Sequence, residues 1–289
     1  MRFVTFMHDG KARLGARRGE QIVDLSVAAP DLPATLAGLL KAGPAAMEKA
    51  KAAVAAAADS ALRAAEAVKL LPPIPEPAKI ICIGLNYVDH AAESPYEGLP
   101  KLPVVFGRYA NSLVAAGEPM IAPRNSAEFD WEGELVAVIG KTARHVSKDD
   151  ALDYVAGYSV FNDGSIRDFQ FHSHQWIVGK TFDGTGGFGP DFVTADELPP
   201  GAKGLRLVTR VNGAVMQDAS TDDMIFDIAT LVSYLSSAFT LSPGDVIVTG
   251  TPAGVGFARK PPVFLKAGDV CEVEIEKVGL LRNPIIAEA

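Results

Sequence analysis

Four acidic residues, Glu128, Asp130, Glu132 and Glu134, open a stretch that runs on through Leu-Val-Ala-Val-Ile-Gly to Lys141. Read with the two-residue period of a strand, they share one face with Val136 and Val138. Phe129, Trp131, Gly133, Leu135, Ala137 and Ile139 make the other face, which reads as core. Same-face neighbours lie about 7 Å apart, where like charges at an effective dielectric near 20 repel by about 2 kcal/mol. Such a row is either a solvated acidic edge or the oxygen donor set of a hard cation. The donors would suit Mg²⁺, Mn²⁺ or Ca²⁺ rather than zinc.

A cation needs a third ligand, and Asp163 is the candidate. It sits where a strand ends in Phe161-Asn-Asp-Gly-Ser-Ile-Arg-Asp-Phe-Gln170. Arg167 and Gln170 are spaced i, i+3, so one helical turn would put both on one side. An arginine there could grip a substrate carboxylate in a bidentate fork; an ordinary polar turn with an Arg–Asp pair reads the same way. His90 and Glu93 have the same spacing. A glutamate accepting from one imidazole nitrogen would leave the other as a base for water, although such pairs also serve purely structural ends. Lys180 could anchor an enolate or carboxylate oxygen.

Two glycine-rich stretches invite motif readings. Gly184-Thr-Gly-Gly-Phe-Gly189 has the GxGxxG form, but Pro190 follows and no amphipathic helix begins, so a dinucleotide site is rejected. Thr249-Gly-Thr-Pro-Ala-Gly-Val-Gly256 lacks the GK[ST] of a P-loop, yet its amides and the Thr251 hydroxyl could bind a carboxylate. There is no GxSxG and no HExxH, which leaves serine-hydrolase and zinc-protease chemistry without a motif. His172 and His174 read as surface-loop residues.

The elements that must hold these residues follow from pattern. Arg2 to His8, Ala12 to Ala16 and Gln21 to Leu25 read as short strands, and residues 44 to 69 as an alanine-rich helix. Leu71-Pro-Pro-Ile-Pro-Glu-Pro77 is a stiff connector. It divides a small N-terminal α/β domain, residues 1–71, from a catalytic domain at 78–289, with 72–77 as linker. Beyond it lie strands at Lys79 to Gly84, Pro103 to Arg108, Tyr158 to Asn162 and Val246 to Thr249. A hairpin turns at Asn212-Gly213 and a further strand runs from Val270 to Ile275. A capping box at Ser147 predicts a helix to about Gly157, and Met224 to Phe239 a longer one. Residues 94 to 103, rich in proline and glycine, read as a mobile, lid-like segment. Strands joined by hairpins predict an α+β fold with a mixed, largely β core rather than a doubly wound sheet.

A net charge of -8 and a pI near 5.2 argue against nucleic acid and anionic membranes as partners. Cys82 and Cys271, far apart and outside any CxxC, read as buried thiols of a reducing compartment. With no targeting segment and no long apolar run, the expected location is the cytoplasm.

Taken in order, Gly84-Leu-Asn-Tyr-Val-Asp-His90, Glu132-Gly-Glu134, Asn162 to Gln170, Gly179-Lys-Thr-Phe182, Val211-Asn-Gly213 and Thr249 to Gly256 resemble the fumarylacetoacetate hydrolase superfamily. The likeness covers roughly residues 78 to 285. It implies a β-roll core, a homodimer, and Mg²⁺ or Mn²⁺ held by Glu132, Glu134 and Asp163, which leaves Glu128 and Asp130 to the solvated approach. It implies substrate contacts from Arg167, Gln170, Lys180 and Thr251, and a His90–Glu93 dyad on a lid. Asn-Asp-Gly-Ser departs from the usual Asn-Asp-Val-Ser or -Thr without removing a ligand. The implied activity is a hydrolase acting on carbon–carbon bonds in ketonic substances. A 2,4-diketo acid (an acylpyruvate or a 2,4-diketo-3-deoxy sugar acid) would be cleaved to pyruvate or a related 2-oxo acid. The alternative is a lyase or isomerase on the same site, an oxaloacetate decarboxylase or a 2-oxo-enoate hydratase or isomerase. A non-catalytic, metal-free binding protein is the alternative of another class.

Overall fold

The structure, a computed structural model, describes residues 1–93 and 98–289. The expected mobile stretch at 94 to 103 therefore lies partly outside the described residues. Among the described residues, twelve strands form one large mixed sheet, and five form a second. This is the α+β, strand-dominated architecture expected.

The strand Gly133–Ile139 lies deep in the large sheet. It pairs with Val155–Asp163 on one side and with Val246–Val248 on the other. Its alternation has a physical reason on both faces. Leu135, Ala137 and Ile139 join a core shared with the helix Ile228–Ala238 and with Leu207, Val273 and Ile275 of the second sheet. Val136 and Val138 face a second core with Leu36, Leu39, Ala50 and Val54 from the N-terminal helices. A strand covered twice is apolar at every position of its middle.

Three early strands, Arg2–His8, Lys11–Arg18 and Gln21–Asp24, form as expected. They extend the large sheet, because Arg2–His8 pairs antiparallel with Gly186–Thr194. The proline connector is not a free spacer: Pro72, Pro73 and Ile74 are buried, and Thr5 Oγ1 donates to the Pro73 carbonyl at 2.8 Å.

Several expectations fail for identifiable reasons. The helix stops at Ala55 instead of running to residue 69. Leu62–Ala64 is taken up by Gln21–Asp24, and Lys69–Leu71 by Arg2–His8, as sheet partners. The Ser147 capping contacts form, with Asp150 N donating to Ser147 Oγ. Only the 3₁₀ turn Ala151–Tyr154 follows, since Val155 already belongs to the sheet. The late helix begins at Ile228, four residues after the expected Met224, where Asp227 caps it. The rejected glycine motif turns out to be the start of Gly186–Thr194, which lies between Arg2–His8 and Val155–Asp163. Both cysteines are free and buried, as expected. No helix among the described residues is long and apolar enough to cross a membrane.

Candidate active site

Three carboxylates converge at one end of the large sheet. Glu132 precedes the strand Gly133–Ile139, Glu134 is its second residue, and Asp163 closes the neighbouring strand. The Asp163 amide donates to the Glu132 carbonyl at 2.8 Å, which locks the register that brings them together. One oxygen from each lies within 4.8 Å of the others, and all three residues are buried. Gly133, between the glutamates, faces the second sheet, where a Cβ would stand 2.2 Å from Thr209 Oγ1. The glycine is what lets the sheets close behind the acids.

Three cations hold this cluster. Lys180, at the end of the one-turn helix Ile177–Lys180, places Nζ 2.5 Å from Glu132 Oε2 and 2.6 Å from Asp163 Oδ2. Arg167 reaches Glu132 Oε1 at 2.7 Å and donates to Gln170 Oε1 at 2.8 Å, so the i, i+3 spacing works as a helical turn. The third, Arg108, was not singled out in the sequence. It is fully buried, pairs with Asp163 Oδ1, and donates to Ser112 Oγ and Thr185 Oγ1 at 2.8 Å each.

The electrostatics divide the two glutamates. Burial works to raise the Glu132 carboxyl, but Lys180 and then Arg167 outweigh it and hold it at about 2. Burial, reinforced by Asp163 and Glu132, pushes Glu134 well above the usual carboxylate range. For Lys180, burial acts downward, yet Asp163 and Glu132 carry it above its ordinary value and keep it an ammonium. Negative potential is thus left over at Glu134. An all-carboxylate donor set of this kind fits a hard divalent cation, Mg²⁺ or Mn²⁺, with Ca²⁺ chemically admissible.

Asp130 requires a correction. The continuous strand expected from Glu128 onward breaks between Asp130 and Gly133, and Phe129–Asp130 pairs instead with Ser165–Ile166. Asp130, expected in the solvated approach, is fully buried. It takes Arg167 Nε at 2.8 Å and Nη2 at 2.7 Å, the Gly256 amide at 2.7 Å and the Phe257 amide at 3.0 Å. The glycine loop is likewise committed. Its amides were expected to be open to an external anion, but Gly250 donates to Glu134, Gly254 to Glu93, and Gly256 and Phe257 to Asp130. A Cβ at Gly256 would lie 1.9 Å from the Val263 carbonyl, so the loop approaches its neighbours as only glycine allows. Thr251 donates to the Gly133 carbonyl at 3.0 Å and accepts from Gln217 Nε2 at 2.8 Å.

Every residue singled out for chemistry except Asp163 lines one pocket: His90, Glu93, Glu132, Glu134, Arg167, Gln170, Lys180 and Thr251. Phe106, Phe171, Trp176 and Phe257 add an aromatic wall that sequence reasoning did not identify. His90 and Glu93 lie on the short helix Val88–Glu93, with Nδ1 3.7 Å from Glu93 Oε2. Both Glu93 oxygens accept from the Gly254 amide, at 3.1 and 3.0 Å. Burial acts to raise Glu93, but His90 and the Gly254 amide prevail and lower it. His172 and His174 are exposed, as expected.

Residues 79–286 match the family model described as fumarylacetoacetate (FAA) hydrolase C-terminal. The chain is 42% identical over 293 residues to an oxaloacetate tautomerase from Xenopus laevis, described as mitochondrial, covering 99% of this chain and 90% of that protein. Fumarylacetoacetate hydrolase from psychrophilic Exiguobacterium antarcticum superposes with a TM-score of 0.85 at 36% identity, over 100% of both chains. Maleylpyruvate hydrolase from Sphingobium sp. SYK-6, in complex with manganese (II) ion and pyruvate, superposes with a TM-score of 0.82 at 30% identity, again over 100% of both.

Proposed function

The chain belongs to the fumarylacetoacetate hydrolase family, and from that premise we propose that it is a metal-dependent enzyme of short 2-oxo acids whose leading reaction is keto–enol tautomerisation of oxaloacetate. The observation that carries the reading is the 42% identity to an oxaloacetate tautomerase, which spans 99% of this chain. This reverses the order expected from sequence, in which C–C hydrolysis stood first and an oxaloacetate reaction second.

Glu132, Glu134 and Asp163 are the residues that would hold Mg²⁺ or Mn²⁺, whose charge, when bound, favours the enolate form of a 2-oxo acid. The remaining work falls to the chain's own groups. Arg167 and Gln170 orient the substrate carboxylate, with Thr251 beside them. Lys180, kept cationic by its carboxylate neighbours, donates to an oxygen that becomes negative as the carbon acid loses its proton. His90, steered by Glu93, removes a proton from the carbon between the two carbonyl groups, and the 2-oxo oxygen regains one. One base suffices, because no group leaves.

A second reading is C–C hydrolysis of a 2,4-diketo acid, supported by the full-length likeness to maleylpyruvate hydrolase. His90 would then take its proton from water. A single panel separates the two: decay of the oxaloacetate enol absorbance, carbon dioxide from oxaloacetate, and pyruvate from acylpyruvates and 2,4-diketo-3-deoxy sugar acids, all with Mn²⁺. Enol decay no faster than in buffer, alongside acylpyruvate cleavage, rejects the first reading for the second. Silence on every substrate, with no stoichiometric Mn²⁺ uptake by calorimetry, leaves the non-catalytic alternative.

A further inference from the structure

Two aromatic rings stand between the pocket and a second cavity. Phe106 and Trp176 line both, packed edge to face with centroids 5.4 Å apart and planes at 67°. On the pocket side the Phe106 ring lies 5.2 Å from Lys180 Nζ, close to the acid cluster. On the far side the described residues that wall the cavity include Leu99, Pro100, Val104 and Val105, with His174 and Gln175 beside them. Trp176 is pressed onto the end of the strand Ile80–Gly84, so closely that a Cβ on Gly84 would lie 2.3 Å from the indole Cζ3. The absence of a side chain at Gly84 gives the indole its seat, and the Phe106 edge closes the gap beside it.

We propose that Trp176 sets the length of substrate this site accepts, and that the cavity behind it, screened from the pocket by the indole, would receive an apolar tail once the indole is removed. The proposal rests on the reading that a 2-oxo acid binds with its head at Glu132, Glu134 and Lys180. A tail growing from that head passes the Phe106 ring and meets the indole. A four-carbon acid stops short of the wall, and longer unbranched acids run into it. Apart from His174 and Gln175, the described walls beyond are mostly aliphatic, so the class admitted on opening is an alkyl or acyl chain.

The experiment measures binding rather than turnover, and so holds for either reaction. The unbranched acids from 2-oxobutanoate to 2-oxooctanoate are titrated by calorimetry, with Mn²⁺ present, into the full chain and into Trp176→Ala. Trp176→Leu serves as a second variant that keeps part of the wall filled should alanine not fold. The wild type should bind the shortest acids best and lose affinity as the tail lengthens. Trp176→Ala should reverse the trend, gaining about threefold to fourfold per added methylene, with Trp176→Leu between them. The same length profile in the wild type and both variants overturns the proposal while leaving the 2-oxo acid site intact. A wild type that binds none of these acids overturns that site reading, and the length limit with it.

Discussion

Asp130→Asn removes one charge from the buried network while hardly changing its shape. In the folded protein Oδ1 accepts from the Gly256 and Trp131 amides, at 2.7 and 2.8 Å. Oδ2 accepts from Arg167 Nε and from the Phe257 amide, at 2.8 and 3.0 Å. Whichever oxygen becomes an amide nitrogen, it meets at least two N–H donors and cannot accept from them. The Arg167 guanidinium also loses one of its two buried carboxylate partners. Breaking a buried pair from one side costs about 3–5 kcal/mol, a large part of the roughly 5–15 kcal/mol that holds a domain folded. For a chain of this size the melting temperature should fall on the order of 10 °C. Circular dichroism melts and urea titrations of the metal-free variant measure this directly. Calorimetry with Mn²⁺ adds a second readout, since Arg167, left with Glu132 as its remaining carboxylate partner, should hold that carboxylate more tightly and weaken metal binding. A variant that melts with the wild type and binds Mn²⁺ equally well would refute the role assigned to Asp130.

Glu134→Gln should raise the melting temperature of the metal-free protein, because burial and two like charges already disfavour the ionised carboxylate; the same variant should lose the stabilisation that Mn²⁺ gives the wild type, both read in one set of melts. His90→Gln and Glu93→Gln should each lower turnover by roughly 10²–10⁴ with Mn²⁺ affinity unchanged, and the double variant should fall little further if the two act as a unit. Asp227 caps the helix Ile228–Ala238 by accepting from the Thr230 amide at 2.9 Å. Burial alone would raise its carboxyl, but Thr230 and Lys148 hold it at about 2 instead of 3.8. Its contribution is therefore complete above the unfolded value and is lost as pH falls through the folded one. Asp227→Ala should cost about 1 kcal/mol at neutral pH, with the gap to wild type closing between about pH 4 and pH 2 in urea titrations.

The cluster of three buried carboxylates could be found in the sequence because its signals are local. Glu132 and Glu134 sit two apart on a strand, and Asp163 stands where another strand ends. Asp130 shares their parity, so a two-residue period could not separate it from them. Its partners Arg167, Gly256 and Phe257 lie 37, 126 and 127 positions away. Arg108 is hidden for the same reason, 55 positions from Asp163. The strand Gly186–Thr194 has glycines at 186, 187 and 189 and a proline at 190, all poor strand formers. It is held by neighbours on both sides: at Gly157 a Cβ would stand 2.1 Å from the Val193 carbonyl, which leaves room for glycine alone. The alanine-rich segment continues a helical pattern past Ala55, but pairing with the first strands offers its later residues a better place than solvent. Where tertiary partners outbid local preference, the sequence alone misleads.

The pairing of Arg2–His8 with Gly186–Thr194 has a consequence for how this protein can be handled. Phe3 lies opposite Phe192, and Arg2 opposite Val193. A fragment cut to begin at residue 79 would strip that partner away and leave the Phe192–Val193 end of the strand with unpaired backbone groups. An uncovered apolar edge is a template on which another chain can add a strand. The first 71 residues therefore act as a guard against self-association, and the shortened protein should be recovered as soluble aggregates or inclusion bodies rather than as a smaller working enzyme.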